Sequence, residues 1–131
     1  MKIAILIARI LEGLVFLVFG LDKIVPFIHA PMPGGDAGTI TTVMFAHHWI
    51  LFYGFVESAS ALMLLSGRFV PLGLTLLAGM ITNILLFGFT LAPAPASLAP
   101  GVFVGVLELF LVYAYRESFA GIFAAKARPS A

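Results

Sequence analysis

Ionisable and strongly polar side chains lie near the middle of four strongly apolar segments of this chain. They are Arg9 and Glu12 in the first segment, Glu57 in the second, Asn83 in the third and Glu108 in the fourth. A charge at the centre of a bilayer costs roughly 2.5–3.5 kcal/mol on insertion scales, so such groups usually face a bundle interior and mark a functional pathway. Because every segment carries at least one at a similar depth, we predict one shared polar centre inside a small membrane protein.

Three carboxyl groups and one guanidinium group cannot all be charged comfortably in a medium of low dielectric constant. The guanidinium of Arg9 stays protonated and can pair with one carboxyl. That carboxyl could be Glu12, which shares a helix face with Arg9, although we favour an interhelical partner, Glu57 or Glu108. We expect at least one neutral glutamic acid among the others at neutral pH, able to donate a hydrogen bond, exchange a proton, or contact a quinone carbonyl or a cation.

Small and polar residues accompany two of these glutamates. Gly54 and Gly105 each stand three residues before a glutamate, and a glycine at that spacing lets another helix or a ligand approach the carboxyl. Tyr53 and Ser60 share a helix face with Glu57 and are candidate neighbours of the site. The alternative is that the polar groups only hold helices together, at about 0.6 kcal/mol per contact, but three carboxyls exceed what that role requires.

The composition is that of a membrane protein. The chain has 131 residues, of which 62% are hydrophobic and 10% charged. Its mean hydropathy is +1.15. A net charge of +1 argues against a nucleic-acid partner, which would require a basic face. The sequence contains no cysteine, which excludes disulfides, thiolate metal sites and dithiol redox chemistry on this chain.

Four segments of 18 to 20 residues have the length that a helix needs to cross the hydrocarbon core. They are residues 3–21, 49–66, 70–89 and 97–115. Arg9 and Glu12 would interrupt the apolar core of a signal peptide, so we interpret the first segment as a retained helix. We therefore predict an all-α membrane protein, residues 1–131 forming one domain. It would be an antiparallel bundle of four transmembrane helices with a long loop between helices 1 and 2.

Basic residues near the segment ends predict the orientation. The residues on one side are Lys2, Arg68, Arg116, Lys126 and Arg128, and the residue on the other is Lys23. Because basic residues concentrate on the cytoplasmic side, we predict a multi-pass protein of the inner membrane with both termini in the cytoplasm.

The segment from residue 22 to 48 contains a potential short interfacial helix at residues 39–48 and several residues that can bind metals. These are His29, His47, His48, Met32 and Met44. Adjacent histidines on a helix point about 100° apart, and no carboxylate–histidine spacing supports a shared ion. We predict no metal site.

Several short motifs, taken in order, resemble the DoxX family of small four-helix membrane proteins. They are residues 9–23 (RILEGLVFLVFGLDK), 31–33 (PMP), Glu57, 64–72 (LLSGRFVPL), 83–87 (NILLF), 107–109 (LEL) and 113–116 (YAYR). The resemblance implies a four-helix protein of the inner membrane. It also implies a link to quinone-coupled or thiol-redox assemblies, in which any thiol would come from a partner protein of the membrane or periplasm.

Three functions follow as hypotheses. The leading one is a membrane subunit of a redox assembly with an intramembrane pocket for a quinone-like or other lipophilic ligand. There Arg9 would orient the ligand, Asn83 would hydrogen-bond it, and Glu57 or Glu108 would exchange protons. The second is a non-enzymatic scaffold or assembly factor, and the third is a small proton-coupled exporter. If the protein takes part in catalysis, we expect an oxidoreductase subunit rather than a stand-alone enzyme. Quinone is the one cofactor that these hypotheses involve. The expected partner is the lipid bilayer, and the sequence is compatible with a homo-oligomer.

Overall fold

Helices account for nearly all regular structure in the chain. The computed structural model describes residues 1–29, 31–93 and 95–130, with the backbone alone for Ser97. Over these residues there are no strands. The α-helices are α1 (Lys2–Ile24), α2 (Gly35–Ala46), α3 (Trp49–Ser66), α4 (Val70–Thr90) and α5 (Pro95–Ala114), and a 3₁₀ turn (Arg116–Phe119) follows.

Three of the helices, α1, α3 and α4, are long and apolar enough to cross a membrane. In α5 the apolar stretch Leu98–Ala114 is somewhat shorter. Many large apolar side chains of these helices are exposed, including Phe52, Phe55, Leu86 and Leu109. An exterior of this kind is what contact with lipid requires, because water would disfavour so much apolar surface.

The long helices contact one another in a fixed order. The most extensive interface joins α1 to α3; α3 also packs on α4, α4 on α5, and α5 on α1. Their shared core contains Leu64, Leu74, Leu77 and Leu111, all fully buried. The helix α2 packs on α3.

Glycine allows α1 and α3 to come close together. A Cβ atom on Gly20 would lie 2.6 Å from Ser58 Oγ, and a Cβ atom on Gly54 would lie 2.9 Å from the carbonyl oxygen of Gly20. Real side-chain atoms do not approach so closely, so both positions require glycine for this packing. Small residues at the interface are the usual way for membrane helices to bring their backbones together.

The all-helical class is confirmed, while the number and bounds of the helices differ from the prediction. The second predicted segment matches α3 at both ends and the third matches α4 at its start, and the remaining ends differ from those of α1, α4 and α5 by one to three residues. The predicted long loop contains α2, which starts four residues before the expected interfacial helix and makes a fifth α-helix. The turn after α3 is tight because Gly67 adopts the left-handed conformation with φ of 75°.

Candidate functional site

The predicted single polar centre is divided into separate clusters. One pair joins Lys23 of α1 to Glu57 of α3. A second pair joins Glu12 of α1 to Glu108 of α5. Arg9 and Asn83, which we expected beside these carboxyls, lie elsewhere.

Lys23 and Glu57 form an ion pair across the closest helix interface. The Lys23 Nζ atom lies 2.9 Å from Glu57 Oε2, and the lysine side chain is 25% exposed whereas the glutamate side chain is 3% exposed. Gly54, one turn before Glu57, allows Lys23 to come this close to α3, because a Cβ atom at position 54 would lie 3.0 Å from the Cβ atom of Lys23. The expectation that this glycine lets another helix approach the carboxyl is confirmed.

Lys23 was not expected at the site, because its place in the sequence indicated only a charge at the outer end of the first segment. A signal for it existed. Side chains on a helix tilt toward the helix N-terminus, so a lysine in the last turn of α1 points back toward the middle of the helix. The same rule carries Arg9, near the other end, away from the middle.

A cavity of about 210 Å³ adjoins the ion pair. Apart from Lys23 and Glu57 its lining is apolar, and comes from Val15, Phe16, Phe19, Ile84, Pro100, Gly101 and Val104. The walls therefore belong to α1, α4 and α5, and α3 contributes the carboxyl. An apolar cavity with a small number of polar groups is the usual form of a site for a lipophilic ligand.

Glu12 and Glu108 face each other in the interior. Glu12 is completely buried and Glu108 nearly so. Their carboxyl groups are close enough to interact with each other. Within the described residues no donor reaches any of the four oxygens. Ionised carboxylates only accept hydrogen bonds, so a bond between these two groups requires a proton on one of them.

The two pairs lie close together along the helices. Phe16 and Val104 line the cavity beside Lys23 and Glu57. Phe16 stands four residues after Glu12, and Val104 stands four residues before Glu108, about 6 Å of helical rise in each case. The cavity therefore ends about one turn from the carboxyl pair.

Arg9 has no carboxylate partner among the residues described, so the predicted Arg9–glutamate pair is wrong. Its Nη1 atom donates to the hydroxyl of Tyr115 at 3.4 Å. Its guanidinium also lies beside Gly67. The physical reason is the tilt of helical side chains toward the N-terminus, which directs Arg9 to the end of α1 rather than to its centre.

Asn83 is exposed, and its predicted position in the bundle interior is wrong. It lines a different cavity, of about 260 Å³, together with Tyr53, Ile40 and Met44. On α4 the buried positions are occupied by residues such as Ile81, and Asn83 lies about 200° around the helix from it. Tyr53, expected beside Glu57, also lines the Asn83 cavity.

Ser60, the other candidate neighbour, is fully buried, and its hydroxyl has no partner within the described residues. The three histidines are exposed. In the part of the chain that the structure describes, no group of three or more histidine, cysteine or acidic side chains is arranged to hold a metal ion.

The residues present can therefore do two kinds of chemistry. An ammonium and a carboxyl meet at one side of an apolar cavity, where they could hydrogen-bond and exchange a proton with a polar head group. One turn away, a carboxyl pair can store a proton. Comparisons of the chain with protein-family models, with curated proteins and with solved structures found no match.

Proposed function

We propose that the protein is a multi-pass protein of the inner membrane that binds the polar head of a lipophilic, quinone-like ligand beside Lys23 and Glu57. In this proposal α1, α3, α4 and α5 cross the membrane as an antiparallel bundle, with both termini in the cytoplasm. The helix contacts and the apolar exterior support the bundle, and the distribution of basic residues supports the orientation.

The observation that carries the proposal is an ion pair in the wall of an otherwise apolar cavity. A lysine ammonium has three donors, of which one is used by Glu57 and one reaches the carbonyl oxygen of Phe19 at 3.4 Å. A further donor is free for a carbonyl oxygen of the ligand. Glu57 can exchange a proton with the same head group, so Lys23 takes the orienting role that we had expected for Arg9.

The size of the cavity fits a single ring. A cavity of about 150 Å³ is enough to hold benzene in a protein interior. The cavity here, of about 210 Å³, can hold a substituted ring of that kind. Phe19 in its lining is 44% exposed, which leaves a route for an isoprenoid tail to reach the lipid.

The role of a membrane subunit in a redox assembly rests on the resemblance to the DoxX family, which stays a prediction. Because the chain has no cysteine, a thiol reaction in such an assembly would take place on a partner protein. This chain would then hold the quinone and its protons. That division makes it an oxidoreductase subunit and not an independent enzyme.

Binding of a short-tailed ubiquinone to the purified protein in detergent tests the proposal. We expect Lys23→Met and Glu57→Gln to weaken binding, and Val104→Leu to weaken it by filling the cavity. The matched control is Val106→Leu, since Val106 is exposed on the same helix and does not line this cavity. Equal binding by all four variants and the wild type would refute the site.

The scaffold hypothesis is supported by a different aspect of the same pair. Lys23 and Glu57 are already matched to each other, so they can fix the register of α1 and α3 without any ligand. In that case the unfolding temperature of the protein would fall in Lys23→Met, while no quinone would bind to the wild type. The exporter hypothesis has less support, because Glu12, the carboxyl that would exchange the proton in an exporter, is completely buried.

A further inference from the structure

The guanidinium of Arg9 lies at the end of the helices where α1 begins and where α3 and α5 end. Its Nη1 atom donates to the Tyr115 hydroxyl at 3.4 Å, and would lie 3.1 Å from a Cβ atom on Gly67. Gly67 follows the last residue of α3, and Tyr115 follows the last residue of α5. If these helices span the bilayer, the guanidinium is therefore at the level of the lipid head groups.

This positive charge lacks an anion within the described residues. The only ion pair found there is the one between Lys23 and Glu57. The Nε atom of Arg9 is buried without a partner. A guanidinium group carries five donors and keeps its charge at any ordinary pH. A neutral hydroxyl at 3.4 Å satisfies one of these donors weakly, so most of the hydrogen-bonding capacity is unused.

Charged residues stand near the guanidinium in the chain, two of them arginines and the third the exposed Glu117, which follows Arg116. Arg68 and Arg116 are exposed and directly follow Gly67 and Tyr115 in the chain. Gly67 has no side chain to cover the guanidinium, and its φ of 75° disfavours any other residue there. Basic pockets between transmembrane helices on the cytoplasmic side are known sites for anionic head groups.

We propose that Arg9, with Gly67 and Tyr115 beside it, forms a binding site for a phosphate group such as that of an anionic phospholipid. The planar fork of a guanidinium matches two phosphate oxygens, which a lysine ammonium cannot do. This site is separate from the cavity beside Lys23, and it does not depend on quinone binding.

Native mass spectrometry of the purified protein with added phosphatidylglycerol or phosphatidylcholine tests the site. We expect the wild type to retain phosphatidylglycerol in preference, and Arg9→Gln to retain it roughly ten-fold less, as for the loss of a charged hydrogen bond. The matched control is Lys2→Gln, which removes one exposed charge from the same end and should retain the lipid like the wild type. Unchanged retention in Arg9→Gln, or an equal loss in both variants, would overturn the proposal.

Two further measurements complete the test. If inorganic phosphate displaces phosphatidylglycerol from the wild type, the site accepts the soluble ion; if it does not, the site is specific for the lipid head group. In both cases it is the loss of retention in Arg9→Gln that locates the phosphate at Arg9. Arg9→Lys preserves the charge should Arg9→Gln fail to fold. We expect it to retain several-fold less phosphatidylglycerol, with an unfolding temperature in phosphatidylcholine near that of the wild type. Wild-type retention by Arg9→Lys would exclude recognition by the guanidinium.

Discussion

The ammonium of Lys23, in the last turn of α1, lies 2.9 Å from a carboxylate oxygen of Glu57 in the middle of α3. The glutamate is almost completely buried, and no other cation pairs with it within the described residues. The ion pair therefore stabilises the α1–α3 interface only as long as both partners are present.

Removing the lysine should destabilise the protein because it leaves the carboxylate of Glu57 buried without a cation. Breaking a buried ion pair in this way costs about 3–5 kcal/mol in soluble proteins. We expect Lys23→Met to lower the unfolding temperature in detergent strongly, and the double variant with Glu57→Gln to recover part of the loss. Lys2→Met, at the exposed start of α1, is the control. Strict additivity of the two substitutions would show that the pair is not coupled.

The Glu12–Glu108 pair should tolerate an amide and not an apolar side chain. In Glu12→Gln the amide N–H can donate to Glu108, so we expect a change in unfolding free energy within about 1 kcal/mol. In Glu12→Leu the Glu108 carboxyl has no partner, and the loss should be about 1–3 kcal/mol. Infrared spectra should show the carbonyl stretch of a protonated carboxyl in the wild type. Retention of that band in a Glu12→Gln, Glu108→Gln double variant would mean that the proton is held elsewhere.

The packing of α1 on α3 can be tested with a single added methyl group. In Gly54→Ala the new Cβ atom would meet the Gly20 carbonyl oxygen at 2.9 Å, so we expect destabilisation. Overpacking of this kind costs about 1–3 kcal/mol. Gly79 on α4 has open space around it, and Gly79→Ala should stabilise the helix. A gain of about 0.5–1 kcal/mol is typical for that substitution in a helix. Equal effects of the two variants on thermal unfolding would show that α1 and α3 are less close than described.

The proposed orientation is open to direct chemical labelling, since the chain has no native cysteine. Asp36 and Arg68 are both exposed. Single cysteines at these two positions should react with a membrane-impermeant thiol reagent from opposite sides, position 36 from outside intact cells and position 68 only after lysis. Labelling of both from the same side would contradict the orientation.

The helices could be predicted well because their signals are local. Long apolar runs indicated the positions of α1, α3 and α4. Gly67, which follows Ser66, indicated the last residue of α3 correctly. Helix α2 was less visible, because its sequence from Gly35 to Ala46 has a weak division into apolar and polar faces and begins with glycine.

The partners of the charged residues could not be predicted from depth alone. Residue depth correctly indicated that Glu12, Glu57 and Glu108 are interior groups. Which cation meets which carboxyl depends on the direction in which a long side chain leaves its helix, and Arg9 and Lys23 leave α1 in the same direction from opposite ends. The position of Asn83 could not be predicted for a different reason. The direction in which a side chain points depends on the rotation of its helix about the helix axis, and that rotation is decided by packing against the other helices.

Phe16 is 2% exposed and stands between the Glu12 and Lys23 turns of α1. An apolar ring at this position offers water no hydrogen-bond partner between the outer ion pair and the inner carboxyl pair. We therefore expect protein with this side chain in place to pass no protons between the two pairs, and a shorter side chain at position 16 to let water connect them.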